Sequence, residues 1–231
     1  MKYMSNNHLS QMQIQSMNKL IDEVSSKQKS YFGNIASSSK ADGTLITECD
    51  IWSDKTIING INDIAKEEGI LSEEGSKIVP DTSAYWIVDP LDGTTNFAAG
   101  IPYWAISIAR FVNGKPETSF LEIPPLNKRI IAIRGKGVWI NGKVYQKNSR
   151  NYSNSECISL CSRSIRVLQR NPNQPFPGKI RLLGVSSLNM VSVCLGQTLG
   201  ALEATPKIWD IAAAWLILSE LGCCLKWLDR N

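Results

Sequence analysis

The stretch Trp86 to Phe97 reads WIVDPLDGTTNF. An apolar run leads into Asp89, and Asp92 follows three residues later. A strand that carries two carboxylates into the interior costs free energy unless opposite charge meets them there. Two like charges held close also raise each other's pKa. A divalent cation removes both penalties, and hard oxygen ligands favour magnesium, manganese or calcium over zinc. Pro90 fixes its own φ and lacks an N–H, so the strand is expected to turn there and aim both carboxylates at one place. A helix starting at Gly93 to Asn96 would present free amides to an anion. Gly93 would let a phosphate oxygen come close to the backbone, and Thr94 offers a hydroxyl to a water or a metal. The fragment alone fits equally well a plain turn in which an aspartate caps a helix at Gly93-Thr94.

Periodicity places this fragment among alternating elements. Leu9, Met12, Met17, Leu20, Ile21 and Val24 recur at helical spacing. Ser37 to Thr44 reads as a polar break, Ile51 to Lys66 as a second helix and Lys66 to Ser76 as an acidic connection. Tyr85 to Val88, Ala105 to Val112, Glu117 to Ile123, Arg129 to Arg134 and Val138 to Ile140 read as antiparallel strands, with Asn113-Gly114 and Asn141-Gly142 as tight turns. Pro124-Pro125 ends one of them. Ser149 to Glu156 and Gln169 to Lys179 read as loops. Lys179 to Leu183 and Ala201 to Ala204 read as short strands, Ser187 to Leu195 as a helix, and Trp209 to Leu221 as an Ala- and Leu-rich helix capped by Gly222. Helices, then strands, then mixed elements suggest a layered α/β sandwich. No linker or repeat stands out, so residues 1–231 are expected to form a single domain.

Other acids stand near element boundaries. Glu73 and Glu74 follow an apolar step, where they are either solvated loop residues or completion of a metal shell. Asp210, inside KIWDIAAAW, is either a first-turn acid favoured by the helix dipole or a distant ligand brought in by the fold. Asp50 opens a helix and reads first as a cap. Lys40 is a surface lysine or a positive charge beside a phosphate.

Composition excludes some chemistry. The six cysteines include no CxxC pair and the only histidine is His8, so a Cys/His zinc site is not expected. Scattered thiols suit a reducing compartment. The net charge of +4 comes without a basic block, which argues against nucleic acid and suits anionic small molecules. The longest apolar run, Ile211 to Leu218, is too short to span a bilayer, and the N-terminus has no signal-peptide core. A soluble cytoplasmic protein is expected.

Four separated fragments, KADGTLITECD (Lys40 to Asp50), SEEG (Ser72 to Gly75), WIVDPLDGTTNF and KIWDIAAA, occur in that order. Together they resemble the inositol monophosphatase family of magnesium-dependent, lithium-sensitive sugar phosphatases, over roughly residues 10 to 229. The resemblance implies an αβαβα sandwich of the inositol monophosphatase and fructose-1,6-bisphosphatase type. It implies two or three Mg2+ held by Glu73, Asp89, the Leu91 carbonyl, Asp92 and Asp210. It gives Thr94 the role of orienting the attacking water, with Asp50 as its partner and Glu73 beside them. The Gly93 and Thr94 amides match a phosphate cradle, Glu203 a contact to substrate hydroxyls, Ser186 and Ser187 the region of another contact, and Lys40 a basic residue near the site. A small phosphate ester is the implied substrate, most simply inositol monophosphate, with histidinol phosphate and fructose 1,6-bisphosphate as alternatives. A homodimer is implied, with no nucleic-acid or membrane partner. Members of the family continue beyond the WDxAA helix, so the fold is expected to lack its last strands and the chain to be either active or a weak paralogue that only binds phosphorylated ligands. An aspartyl-phosphate phosphatase of the haloacid dehalogenase type is the rival reading, but one residue separates the acids of its DxDGT motif where two separate Asp89 and Asp92, and no phosphoenzyme on Asp89 is expected.

Overall fold

The computed structural model describes residues 8–34, 36–40, 45–146, 157–165 and 178–227. Two helices open the chain, α1 (Gln11–Tyr31) and α2 (Glu48–Ile64). Each has a reciprocal cap: Ser10 with Gln13, and Thr47 with Asp50. The Thr47 cap is why α2 starts at Glu48, three residues before the position that apolar periodicity suggests. Between the helices, β1 (Ser37–Ser39) and β2 (Leu45–Thr47) pair antiparallel, where the sequence suggested a polar break; residues 41–44 of that break lie outside the described residues.

The main sheet has seven strands in the order β3 (Gly69–Ser72), β4 (Ala84–Asp92), β5 (Ala105–Val112), β6 (Lys115–Ile123), β7 (Lys128–Ile133), β8 (Gly137–Ile140) and β9 (Lys143–Tyr145). From β4 onward every pairing is antiparallel, as the alternating pattern indicates. Asn113 and Asn141 adopt positive φ in the two tight turns. β3 lies where the sequence suggests an acidic connection: Leu71 is buried and the strand pairs parallel with β4, so this segment is part of the sheet. A short helix α3 (Thr94–Ala98) follows β4 directly. The chain then forms β10 (Cys157–Leu160), β11 (Lys179–Arg181), α4 (Ser186–Cys194), β12 (Gly200–Leu202) and α5 (Ile208–Glu220). The strands β11, β10 and β12 make a second, parallel sheet. The loop expected at Ser149 to Glu156, and most of that at Gln169 to Lys179, lie outside the described residues.

The layers follow from alternation along the central strands. Trp86, Val88, Ile106, Ile108 and Phe120 face one way and pack on Met17, Leu20, Ile21 and Val24 of α1 and on Ile57 and Ile61 of α2. Ile87, Ala109 and Phe111 face the other way against Trp209, Ala212 and Ala213 of α5. Leu121, Ile130, Ala132 and Val138 continue that face against α4 and α5. α4 in turn touches β10 and β12 of the second sheet. The described residues thus stack helices, sheet, helices and sheet, four of the layers that the sequence suggests. No helix among them is long and apolar enough to cross a membrane.

Candidate metal and phosphate site

The site forms where β4 leaves its regular pairing with β5. Asp89 lies opposite Ser107 and Asp92 opposite Ala105, so three residues' advance on β4 matches two on β5. In a regular strand, residues three apart point to opposite faces. One extra residue in a bulge cancels that difference and brings Asp92 onto Asp89's face. Pro90, which has no N–H to leave unpaired, sits within this bulge. The strand therefore does not turn at Pro90, as the sequence suggested; it runs on to Asp92 and the bulge aligns the acids. Leu91 N–H donates to Asp89 Oδ1 at 3.1 Å.

Gly93 then takes φ +103° and starts α3. The hydroxyl of Thr94, the first residue of α3, lies 2.7 Å from Asp50 Oδ1 and 3.1 Å from the Leu91 carbonyl. Its single proton favours the carboxylate, the shorter and charge-assisted contact. Asp50 also accepts from the Thr47 N–H at 2.9 Å and from the Thr47 hydroxyl. The cap that the sequence suggested for Asp50 and its partnership with Thr94 are thus two functions of one carboxylate.

Three further acids come from separate elements. Glu73 follows β3, and its N–H extends the parallel ladder to the Val88 carbonyl at 3.1 Å, which sets it beside β4. Asp210 stands in the first turn of α5, held by the Lys207 N–H at 2.8 Å. Ser107 of β5 reaches the Trp209 carbonyl at 3.4 Å, tying that turn to the sheet face that bears Asp89. Glu203 follows β12 and accepts from Ser186 Oγ at 2.9 Å and Asn189 Nδ2 at 2.8 Å. Ser187 does something different from its neighbour: its N–H and hydroxyl hold Asp92 Oδ2 at 2.8 and 2.5 Å, while Ser186 N–H lies 3.3 Å from Oδ1.

The electrostatics show one shared neighbourhood. Burial pushes the Asp89 carboxyl well above the ordinary carboxylate range, and Glu73, Asp92 and Asp210 add to it by repulsion. Asp92 is pushed up to about 7 by burial and by Asp210, although the Ser187 hydroxyl and N–H oppose the rise. Burial likewise raises Glu73 and Asp210. Lys40 is no plain surface lysine: its ammonium pairs with Glu73 at 3.1 Å and with Glu74. It stands beside acids, and the Glu74 side chain is mostly buried against it, which rules out a solvated loop residue. Among the described residues, no three His, Cys, Asp or Glu side chains stand at the spacing of one closed ligand set. What converges is buried negative charge with hard oxygen donors, and that donor chemistry fits Mg2+ rather than a softer ion.

These raised values have a direction in pH. A carboxyl whose pKa rises on folding binds more protons folded than unfolded, so stability falls as pH rises between the two values. In chelator, urea unfolding should therefore show stability declining from about pH 5 to pH 8, where Asp92 gives up its proton. Saturating Mg2+ should remove the decline, because cation binding favours the ionised carboxylates. A rise in stability over that range in chelator would contradict the reading of these acids as mutually repelling.

The model of the inositol monophosphatase family matches residues 6–231. The chain belongs to this family. It is 30% identical over 210 residues to the fructose-1,6-bisphosphatase/inositol-1-monophosphatase of Thermotoga maritima, covering 88% of this chain and 80% of that protein. It is 31% identical over 199 residues to inositol monophosphatase 1 of Bos taurus, covering 80% and 71%. The crystal structure of an IMPase/NADP phosphatase complexed with Mg2+ and phosphate aligns with a TM-score of 0.77 and 27% identity, over 90% of this chain and 82% of that one. Family membership makes this chain a member of a group of phosphatases. The layered fold agrees with that of the solved members.

Sequence reasoning named most of these side chains but missed Thr47 and Asn189, and it passed over Gln28 of α1, whose Nε2 donates to the Pro90 carbonyl at 2.8 Å. Gln28 left a trace. It continues the buried stripe of α1 at helical spacing after Met17, Ile21 and Val24, a position where an amide is unexpected.

Proposed function

We propose that the chain is a Mg2+-dependent phosphomonoesterase for a small polyol or sugar phosphate, with inositol monophosphate as the preferred substrate. The observation that supports this most is the bulge, which sets Asp89 and Asp92 on one face within electrostatic reach of Glu73 and Asp210. In this reading Glu73, Asp89, the Leu91 carbonyl, Asp92 and Asp210 hold the ions. Bound magnesium would neutralise phosphate charge and lower the pKa of a coordinated water. Asp50 takes the Thr94 proton in a hydrogen bond, which leaves the Thr94 lone pairs to accept from the attacking water. Glu73, whose carboxyl lies within electrostatic reach of Asp50 and Asp210, would help to activate that water. The Gly93 and Thr94 amides would steady the phosphate, and Glu203, fixed by Ser186 and Asn189, would accept hydrogen bonds from substrate hydroxyls. We take residues 1–231 as one domain that acts in the cytoplasm as a homodimer.

One observation favours a second substrate. Arg163, exposed in the turn after β10, lies close enough to Glu203 and Asp210 to oppose part of the rise that burial gives both carboxyls. The turn is tied to the Glu203 segment by Ser164 Oγ donating to the Leu202 carbonyl at 3.0 Å. A cation beside the hydroxyl-binding residue suits a substrate with a second anionic group, such as fructose 1,6-bisphosphate. A panel of inositol 1-phosphate, histidinol phosphate and fructose 1,6-bisphosphate, with titrated Mg2+ and added Li+, tests both readings. Mg2+-dependent release that Li+ inhibits is expected, with the highest kcat/KM for inositol 1-phosphate. A clear preference for the bisphosphate that disappears in Arg163→Ala would favour the second substrate. Background release from every ester would end the enzyme reading.

A further inference from the structure

Gln28 is fully buried and uses both ends of its amide. Nε2 donates to the Pro90 carbonyl at 2.8 Å and to Ser53 Oγ at 3.1 Å. Oε1 accepts from Trp104 Nε1 at 3.0 Å. One side chain of α1 thus joins α2, the β4 bulge and the segment that leads into β5. The Pro90 carbonyl is the critical contact. It lies between Asp89 and Leu91, inside the stretch where the β4–β5 register shifts. A buried carbonyl displaced from its ladder needs another donor, and Gln28 supplies one.

We propose that Gln28 is a positioning residue that fixes the Asp89–Asp92 bulge through the Pro90 carbonyl and so sets the spacing of the two carboxylates and the Leu91 carbonyl. An apolar residue would fill the same space on the α1 stripe, and Met17, Ile21 and Val24 do so one to three turns earlier. A glutamine there is explained by the carbonyl it meets. Without that bond, the peptide between Pro90 and Leu91 loses the donor that defines its orientation, and the acids on either side lose their fixed separation. What the bulge holds rests on the metal reading given above; that Gln28 holds the bulge does not.

The test uses the whole chain and two variants. Gln28→Met keeps the volume and removes the donor. Ser53→Ala removes another partner of the same amide and leaves the Pro90 contact in place. Calorimetric titration with Mg2+ alone should show about a tenfold weaker affinity for Gln28→Met, the lower range of what loss of a supporting contact costs a metal site. Hydrogen exchange at the Leu91 amide, which bonds to Asp89 Oδ1, should quicken about tenfold in the same variant. Ser53→Ala should leave both readings within about twofold of the parent. If Gln28→Met does not fold, Gln28→Asn, one methylene too short to reach Pro90, should give the same two changes. Parent-like values in the foldable Gln28 variant would overturn the proposal. So would equal changes in Ser53→Ala, since the effect would then be one of packing. Should the parent chain take up no Mg2+, the metal reading fails and the Leu91 exchange rate still decides the role of Gln28.

Discussion

Asp92→Asn should lower Mg2+-dependent phosphate release by about a thousandfold, equivalent to about 4 kcal/mol of transition-state stabilisation. The same variant should not unfold. Asparagine keeps an oxygen able to accept from the Ser187 N–H and hydroxyl, which hold Asp92 most tightly. The atom that becomes Nδ2 meets only the longer 3.3 Å contact from Ser186. Asp92 carries a pKa of about 7 because burial and Asp210 disfavour its charge. Removing that charge should make the chelated protein at pH 8 as stable as the parent or more stable. Phosphate assays and urea unfolding on one preparation check both halves. Activity lost together with stability would mean that Asp92 is structural. Activity near the parent level would remove it from the chemistry.

Gly93→Ala should damage both properties. At φ +103° an L residue is strained, at a cost on the order of 1–3 kcal/mol. A Cβ there would stand 2.8 Å from Val185 Cγ2 and 3.3 Å from the Tyr103 carbonyl. Val185 is fully buried and precedes α4, whose first amides hold Asp92, so it cannot yield without moving that carboxylate. Together the two effects should cost about 3 kcal/mol, or about 6–12 °C in Tm for a chain of this size. Thermal unfolding with and without Mg2+ measures it. A Tm within about 2 °C of the parent would show that the Gly93–Val185 approach is not tight.

The acids of the site were legible because each is anomalous locally. Asp89 and Asp92 end an apolar strand, and Asp210 interrupts an apolar helix. Their arrangement was less legible. A proline between two aspartates reads as a turn, whereas pairing with Ser107 and Ala105 keeps β4 extended and makes a bulge. The strands β3 and β10 are four residues each, too short for alternation to show, and they exist because a parallel neighbour holds them. The polar β1–β2 hairpin has no apolar face to leave a pattern. Lys40 could be placed near the site by motif alone, but its pairing with Glu73 and Glu74 needs the fold that brings residues 33 and 34 positions apart together. Gln28 was hidden by its setting, since one amide in an amphipathic helix reads as a surface residue until its stripe is counted.

The central claim is that Glu73, Asp89, Asp92 and Asp210, contributed by separate parts of the chain, share one hard-cation site. Anomalous diffraction from a crystal grown with Mn2+, an oxygen-seeking substitute for Mg2+, tests it most directly. At least one strong anomalous peak is predicted within coordination distance of both Asp89 and Asp92, with Glu73 or Asp210 completing its ligands. Manganese found only elsewhere on the protein, with these four carboxylates protonated or paired among themselves, would contradict the account.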